Sequence, residues 1–175
     1  MEGDIDVEMR GSILHALGNA FVRKSDYDAA MRYYKDALDA KFVARHESVS
    51  ILKIYRNMAM IQVKNDKSLA LSNMSKAIRI AESIYVDELL LARLYIDKAT
   101  FLFTENDDDD DAWHCIDRAT KILNSSRYPE EDDDVTALKK FIKHYDGKRN
   151  KSSDIPTLKS NGTDTRSTRS SSEKV

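Results

Sequence analysis

The sequence has 175 residues but only one cysteine, two prolines and five glycines. Cys115 alone cannot form an internal disulfide, so nothing points to an oxidising compartment. Glycine and proline are the residues that interrupt helices, and their scarcity favours a largely helical chain. Runs of alternating valine, isoleucine and threonine, the signature of strands, are missing. No apolar run approaches the roughly 20 residues that a membrane span needs. Residues 1–10 are acidic and lack the apolar stretch of a signal peptide. A soluble protein of the cytoplasm or nucleus is expected, in which Asn161-Gly162-Thr163 matches a glycosylation acceptor only by chance.

Catalytic signatures are missing as well. No two glycines are spaced to cradle a phosphate. His114 and Cys115 are adjacent, so on a helix they point in different directions, and His15, His46 and His144 are isolated. Neither a zinc site nor a nucleophilic triad can be assembled from these residues. Cys115 reads as a small buried apolar residue, and Trp113 as partly buried at a helix start. The acidic run Asp107–Asp111 lacks the glycine and the alternate spacing of a calcium loop, and reads as a solvated turn beside a helix N-terminus. Glu130–Asp134 has the same character. No enzymatic activity, metal or cofactor is expected.

Net charge is −2, unevenly spread. Residues 1–146 hold 21 Lys/Arg against 27 Asp/Glu, and residues 147–175 hold 7 against 3. An acidic body lacks the basic face of a nucleic-acid-binding domain, so no nucleic-acid partner is expected. Residues 147–175 contain 11 Ser/Thr and almost no apolar side chains; this basic tail is expected to be disordered. Arg166–Ser170 resembles a basophilic kinase substrate, and the tail end weakly resembles a PDZ ligand.

What the chain does have is an internal repeat. Gly18, Ala59 and Thr100 are successively 41 residues apart. Ala30, Tyr34 and Ala37 follow Gly18 at offsets 12, 16 and 19, and Ala112, Ile116 and Ala119 follow Thr100 at the same offsets. Ala70, Met74 and Ala77 follow Ala59 one residue sooner. Small residues let antiparallel helices approach closely, while Leu14, Leu17, Phe21, Tyr27, Tyr34 and Leu38 fill the remaining space on apolar stripes. The spacing predicts three helical hairpins over 7–40, 43–83 and 86–123, with helices at 7–23, 26–40, 43–64, 67–83, 86–104 and 109–123. Ser25 or Asp26 should cap the second helix. A seventh helix over 129–146 carries Val135, Leu138, Phe141, Ile142 and Tyr145 on one face. It opens at Pro129, where proline is tolerated, and suits a terminal cap on the array. Residues 1–146 thus form one all-α domain.

Residues 13–40, ILHALGNAFVRKSDYDAAMRYYKDALDA, resemble a tetratricopeptide repeat, and residues 56–82 and 97–123 resemble weaker copies in the same phase. The spacing exceeds the family's usual one, and the proline that often closes a repeat is missing. In this the chain is similar to the extended repeats of kinesin light chains and the spindle-orientation adaptors. The resemblance implies a right-handed superhelical stack whose first-in-pair helices line a concave groove for a partner protein. The groove positions it implies are His15, Asn19 and Arg23; Lys53, Arg56, Asn57, Met60 and Lys64; and Leu94, Asp97, Lys98 and Phe101. The first two sets are polar and basic within an acidic body, which suits an acidic peptide segment.

Tetratricopeptide co-chaperones of the heat-shock chaperones grip a terminal carboxylate with a lysine and two asparagines plus a third-repeat lysine and arginine. Asn19, Asn57 and Lys98 fall on three of those positions, with lysine where the family has arginine. His15 and Leu94 depart from the other two. The resemblance therefore implies an adaptor or scaffold first. A co-chaperone with a degenerate carboxylate clamp, binding a chaperone C-terminus, is the alternative. A structural subunit that uses its convex face or capping helix is a third. Oligomeric state is left open at this point.

Overall fold

A computed structural model describes residues 2–43, 48–103, 110–125, 128–129 and 132–153. These form seven helices: α1 (Glu2–Arg23), α2 (Tyr27–Val43), α3 (Val49–Gln62), α4 (Lys67–Ser83), α5 (Glu88–Leu102), α6 (Asp110–Ser125) and α7 (Asp133–Ser153). No strand occurs among the described residues. Nor is any described helix long and apolar enough to cross a membrane.

Short side-chain acceptors set most of the helix starts, because the first backbone N–H groups of a helix have no partner within it. Asp26 Oδ1 accepts from Ala29 N at 3.0 Å, and Asp66 Oδ1 from Leu69 N at 2.9 Å. Asp87 Oδ1 serves both Leu89 N and Leu90 N, and Ser48 caps α3 through Ile51 N. The last helix starts later than the proline suggested. Pro129 lies ahead of it, and Asp132 takes the cap, accepting from Asp134 N at 2.9 Å and Val135 N at 3.2 Å. α7 also runs on to Ser153, so the first residues assigned to the tail are helical. Residues 154–175, with the Ser/Thr-rich motifs, lie outside the described residues, as do 104–109 and with them most of the acidic run. Asp110 and Asp111 occupy the first turn of α6, where negative charge complements the helix dipole.

Two helix ends share one geometry. After α1, Asp26 N donates to Phe21 O (3.0 Å) and Ser25 N to Val22 O (2.9 Å), with Ser25 at φ 60°. After α4, Val86 N donates to Ala81 O at 3.2 Å, with Tyr85 at φ 51°. These closures satisfy the last helical carbonyls, and they normally place glycine in the left-handed position. Serine and tyrosine hold it here at a conformational cost.

The helices pair as α1–α2, α3–α4 and α5–α6, with α4 against α5 joining the second hairpin to the third, α2 against α3 joining the first to the second, and α7 against α5 and α6. Of the small residues of the repeat, Ala30, Ala37, Ala59, Ala70, Ala77, Ala112 and Ala119 are fully buried where helices meet, whereas Thr100, in phase with Gly18 and Ala59, is exposed. Gly18 meets the ring of Tyr34, where an added Cβ would lie 2.4 Å from Cε1. Tyr34, Ile51, Leu52, Ile54, Met74, Leu94 and Ile116 are the bulk of the core. Cys115 and Trp113 are buried in it too, Trp113 edge-on to Phe103. Phe103 stacks in turn on Tyr145 of α7, centroids 4.4 Å apart, so α7 closes the far end of the array. Leu17 and Tyr27, expected as core filler, are exposed instead, because nothing in the first hairpin reaches their side of the helices.

Candidate functional site

α1 and α3 come together through the side chains of His15, Asn19 and Asn57. His15 and Asn19 lie one turn apart on α1, and Lys53 and Asn57 one turn apart on α3. The two asparagines that the sequence singled out meet: Asn57 Nδ2 donates to Asn19 Oδ1 at 2.9 Å. Asn19 Oδ1 also accepts from Tyr34 Oη at 2.7 Å, and Asn57 Nδ2 lies 3.4 Å from His15 Nε2. The His15 and Tyr34 rings meet edge to face, 5.9 Å apart. Asn19, Tyr34 and Asn57 bound a cavity of about 370 Å³, lined also by Val22, Tyr27, Met60, Ile61, Lys64 and Asn65.

The bonds within the cluster use the Asn19 oxygen and the Asn57 nitrogen. They leave the Asn19 amide nitrogen as a donor and the Asn57 amide oxygen as an acceptor. That pair is the complement of a peptide group, which offers one acceptor and one donor. Val22, Tyr27, Met60 and Ile61 add an apolar wall, and Lys64 a positive charge at the rim. Burial lowers the pKa of His15 below its usual value, with help from the positive charges of Lys41 and Lys53, so the imidazole is held neutral. Burial raises the pKa of Tyr34, which keeps its hydroxyl a hydrogen-bond donor.

The other predicted groove residues divide. Arg23, Lys53 and Lys64 are exposed, and Lys64 alone of these lines the cavity. Arg56 is turned toward α5, where its Nε pairs with Asp97 Oδ2 at 2.6 Å. Burial raises the pKa of Asp97, and Arg56 opposes that shift; the pair braces the second hairpin against the third and takes one cation out of the groove. Lys98 is half-buried and does not line the cavity. Leu94 and Phe101 are not groove residues: both are buried in the core. Three helices, α4, α6 and α7, pack on α5, so positions that are open on α1 are covered there. Among the described residues no group of three His, Cys, Asp or Glu side chains could hold a metal ion.

Sequence reasoning missed the part played by Tyr34, which it used only as bulk. A signal was present: the matching positions of the other two repeats are Met74 and Ile116, and only Tyr34 carries a polar tip.

No family model matches the sequence, and no curated protein matches it. Among solved structures, the N-terminal domain of stress-induced protein-1 (STI-1) from C. elegans is similar, with a TM-score of 0.57 and 18% sequence identity. The match covers 80% of this chain and 97% of that one. At that identity the likeness speaks for the fold: a tetratricopeptide-like stack of helical hairpins.

Proposed function

We propose that the chain is a non-catalytic interaction module, an adaptor or scaffold, that holds an extended segment of a partner protein in the cavity between α1 and α3. The observation that carries this reading is the lining of that cavity. A free amide donor and a free amide acceptor stand beside an apolar wall and one lysine. The amides suit the backbone of a segment, the wall suits an apolar side chain, and Lys64 favours a neighbouring acidic residue. The long repeat spacing fits an adaptor of the extended-repeat kind.

The test is selection of peptides from a displayed random library on the immobilised full chain, followed by anisotropy titration of the winners. Winners should carry an apolar residue next to an acidic one. They should bind at least about tenfold more weakly to Asn57→Ala, which removes the free amide acceptor, and to Tyr34→Phe, which removes the hydroxyl that orients Asn19. Winners indifferent to both substitutions would refute the reading.

A terminal-carboxylate clamp is the second reading, favoured by the meeting of Asn19 with Asn57. Against it, no lysine from α5 reaches the cavity, and Arg56 is engaged by Asp97. Anisotropy with an acidic peptide ending in Glu-Glu-Val-Asp, run beside its C-terminally amidated form, separates the two. Binding lost on amidation and in Asn57→Ala establishes the clamp; binding that survives amidation establishes an internal segment.

A further inference from the structure

Along α3 and just past its end, Lys53, Asn57, Met60 and Lys64 follow one another at spacings of 4, 3 and 4, which keeps them on one side of a helix. Asn57, Met60 and Lys64 line the cavity. Lys53 does not, yet it shares their side and is exposed. The groove side of α3 thus continues one turn beyond the cavity and ends on a second lysine. That end is positive in depth. Besides burial, what depresses the pKa of His15, the neighbour of Asn57, is the charge of Lys41 and Lys53. Lys41 belongs to α2 and is 4% exposed. Its stem passes Gly11, where an added Cβ would lie 2.8 Å from Lys41 Cγ, and its ammonium donates to Ser12 Oγ at 3.3 Å. No acidic residue is among the described residues that line the cavity. Between its two positive ends the groove offers amides and apolar side chains.

We propose that the segment held in the cavity carries a second acidic residue, which pairs with Lys53; the inference rests on the function proposed above and adds a spacing to it. Lys53 and Lys64 are 11 residues apart, about 16 Å at the helical rise of about 1.5 Å per residue. An extended chain covers that distance in about five residues. Ile61, in the apolar wall, is 8 residues from Lys53, about 12 Å, or about four extended residues. The partner sequence is therefore acid-x-x-x-apolar-acid, in one chain direction or the other. One acid lies at Lys64, the apolar side chain on Met60 and Ile61, and the second acid at Lys53. The residues between need no particular side chain, because Asn19 and Asn57 meet the backbone there. A segment whose two acids are adjacent would satisfy one lysine and leave the other in water.

Anisotropy of the full chain with fluorescein-labelled, end-capped peptides tests the spacing. Each peptide holds a fixed Leu-Glu or Phe-Glu pair in a serine frame, and one further glutamate is walked, a position at a time, along the other side of the apolar residue. A reversed set covers the other chain direction. In one direction affinity should peak with the walked glutamate about four residues from the apolar one, about three- to fivefold above the rest of the walk at low salt. The peak should flatten in about 0.5 M sodium chloride and in Lys53→Ala. Lys53→Glu should move the preference to a lysine at the same place. Position 53 is exposed, so circular dichroism should be unchanged in both variants. A flat walk whose binding is still lost in Asn57→Ala would overturn the second acid and leave the proposed function standing. A peak that survives Lys53→Ala would also rule out the pairing. Binding by none of the peptides would overturn both.

Discussion

Replacing Gly18 by alanine asks whether the first hairpin depends on one close approach. Alanine is the better helix former by about 1 kcal/mol, so propensity alone predicts a gain. The structure predicts a loss. The new methyl carbon would lie 2.4 and 2.5 Å from two carbons of the Tyr34 ring, whereas carbon atoms rest at about 3.5–4.0 Å. The ring must therefore move by an ångström or more. Tyr34 is 1% exposed and packed in the core, with the cavity it lines as the space open to it. Overpacking of this kind costs about 1–3 kcal/mol. Any shift of the ring also strains the 2.7 Å bond from its hydroxyl to Asn19, which is worth about 1 kcal/mol. After subtraction of the propensity gain, the net loss centres on about 2 kcal/mol, a fall in Tm of about 4–8 °C for a chain of this size. Thermal and urea unfolding followed by circular dichroism would measure it. Gly147→Ala is the internal control: it sits on α7 with nothing within 4 Å of the added carbon, so it should stabilise by up to about 1 kcal/mol. In a Tyr34→Leu background the penalty at Gly18 should shrink or change sign. A Gly18→Ala protein as stable as the wild type, or an undiminished penalty in the Tyr34→Leu background, would show that the contact is not what requires glycine.

Two other outcomes are expected. His15 is held neutral in the folded chain by burial and by Lys41 and Lys53, so its folded pKa lies below the unfolded value of 6.5. Between those two values the unfolded chain binds more protons; stability from this group is intact above about pH 6.5 and drains away as pH falls through the window. Urea midpoints should therefore fall more steeply on acidification for the wild type than for His15→Gln, and parallel pH profiles would contradict the assignment. Tyr85 occupies a left-handed conformation at 93% exposure. Tyr85→Gly should then stabilise by about 1 kcal/mol in the same unfolding assay, and a loss of stability would mean that the ring contributes something its exposure hides.

Much of the fold was legible because close helix packing demands small residues at fixed intervals, and the alanines and Gly18 mark those intervals directly. The cap at Asp26 and the acidic first turn of α6 were legible for a similar local reason. What the sequence could not convey was which faces a neighbour would later cover. Phe101 falls in phase with Asn19, yet α5 is packed on three sides and α1 is not, so one is core and the other lines a cavity. Arg56 looked like a groove cation because its partner Asp97 lies 41 residues away, and an ion pair at that range leaves no trace in local spacing. Asn19 and Asn57 were singled out because the resemblance to the tetratricopeptide family implies that both lie on the groove side of their helices. The role of Tyr34 was missed because a buried tyrosine looks like any other large side chain until its hydroxyl has an address.

The two junctions of the stack differ in how firmly they are joined. Between the second and third hairpins, α4 lies along α5, the Arg56–Asp97 pair adds a brace, and Lys67 Nζ donates to Leu102 O at 3.3 Å. Between the first and second, α2 meets α3 over a smaller area, and the polar link is the small cluster of Asn19, Asn57 and His15 on the cavity wall. A rod built this way would hinge at the first junction. A segment lying across Asn19 and Asn57 would bridge the hinge and act as a splint. It would fix the curvature of the array when bound, and the freedom surrendered at the hinge would come out of its affinity. Occupancy of the cavity would then be felt as stiffness along the whole solenoid.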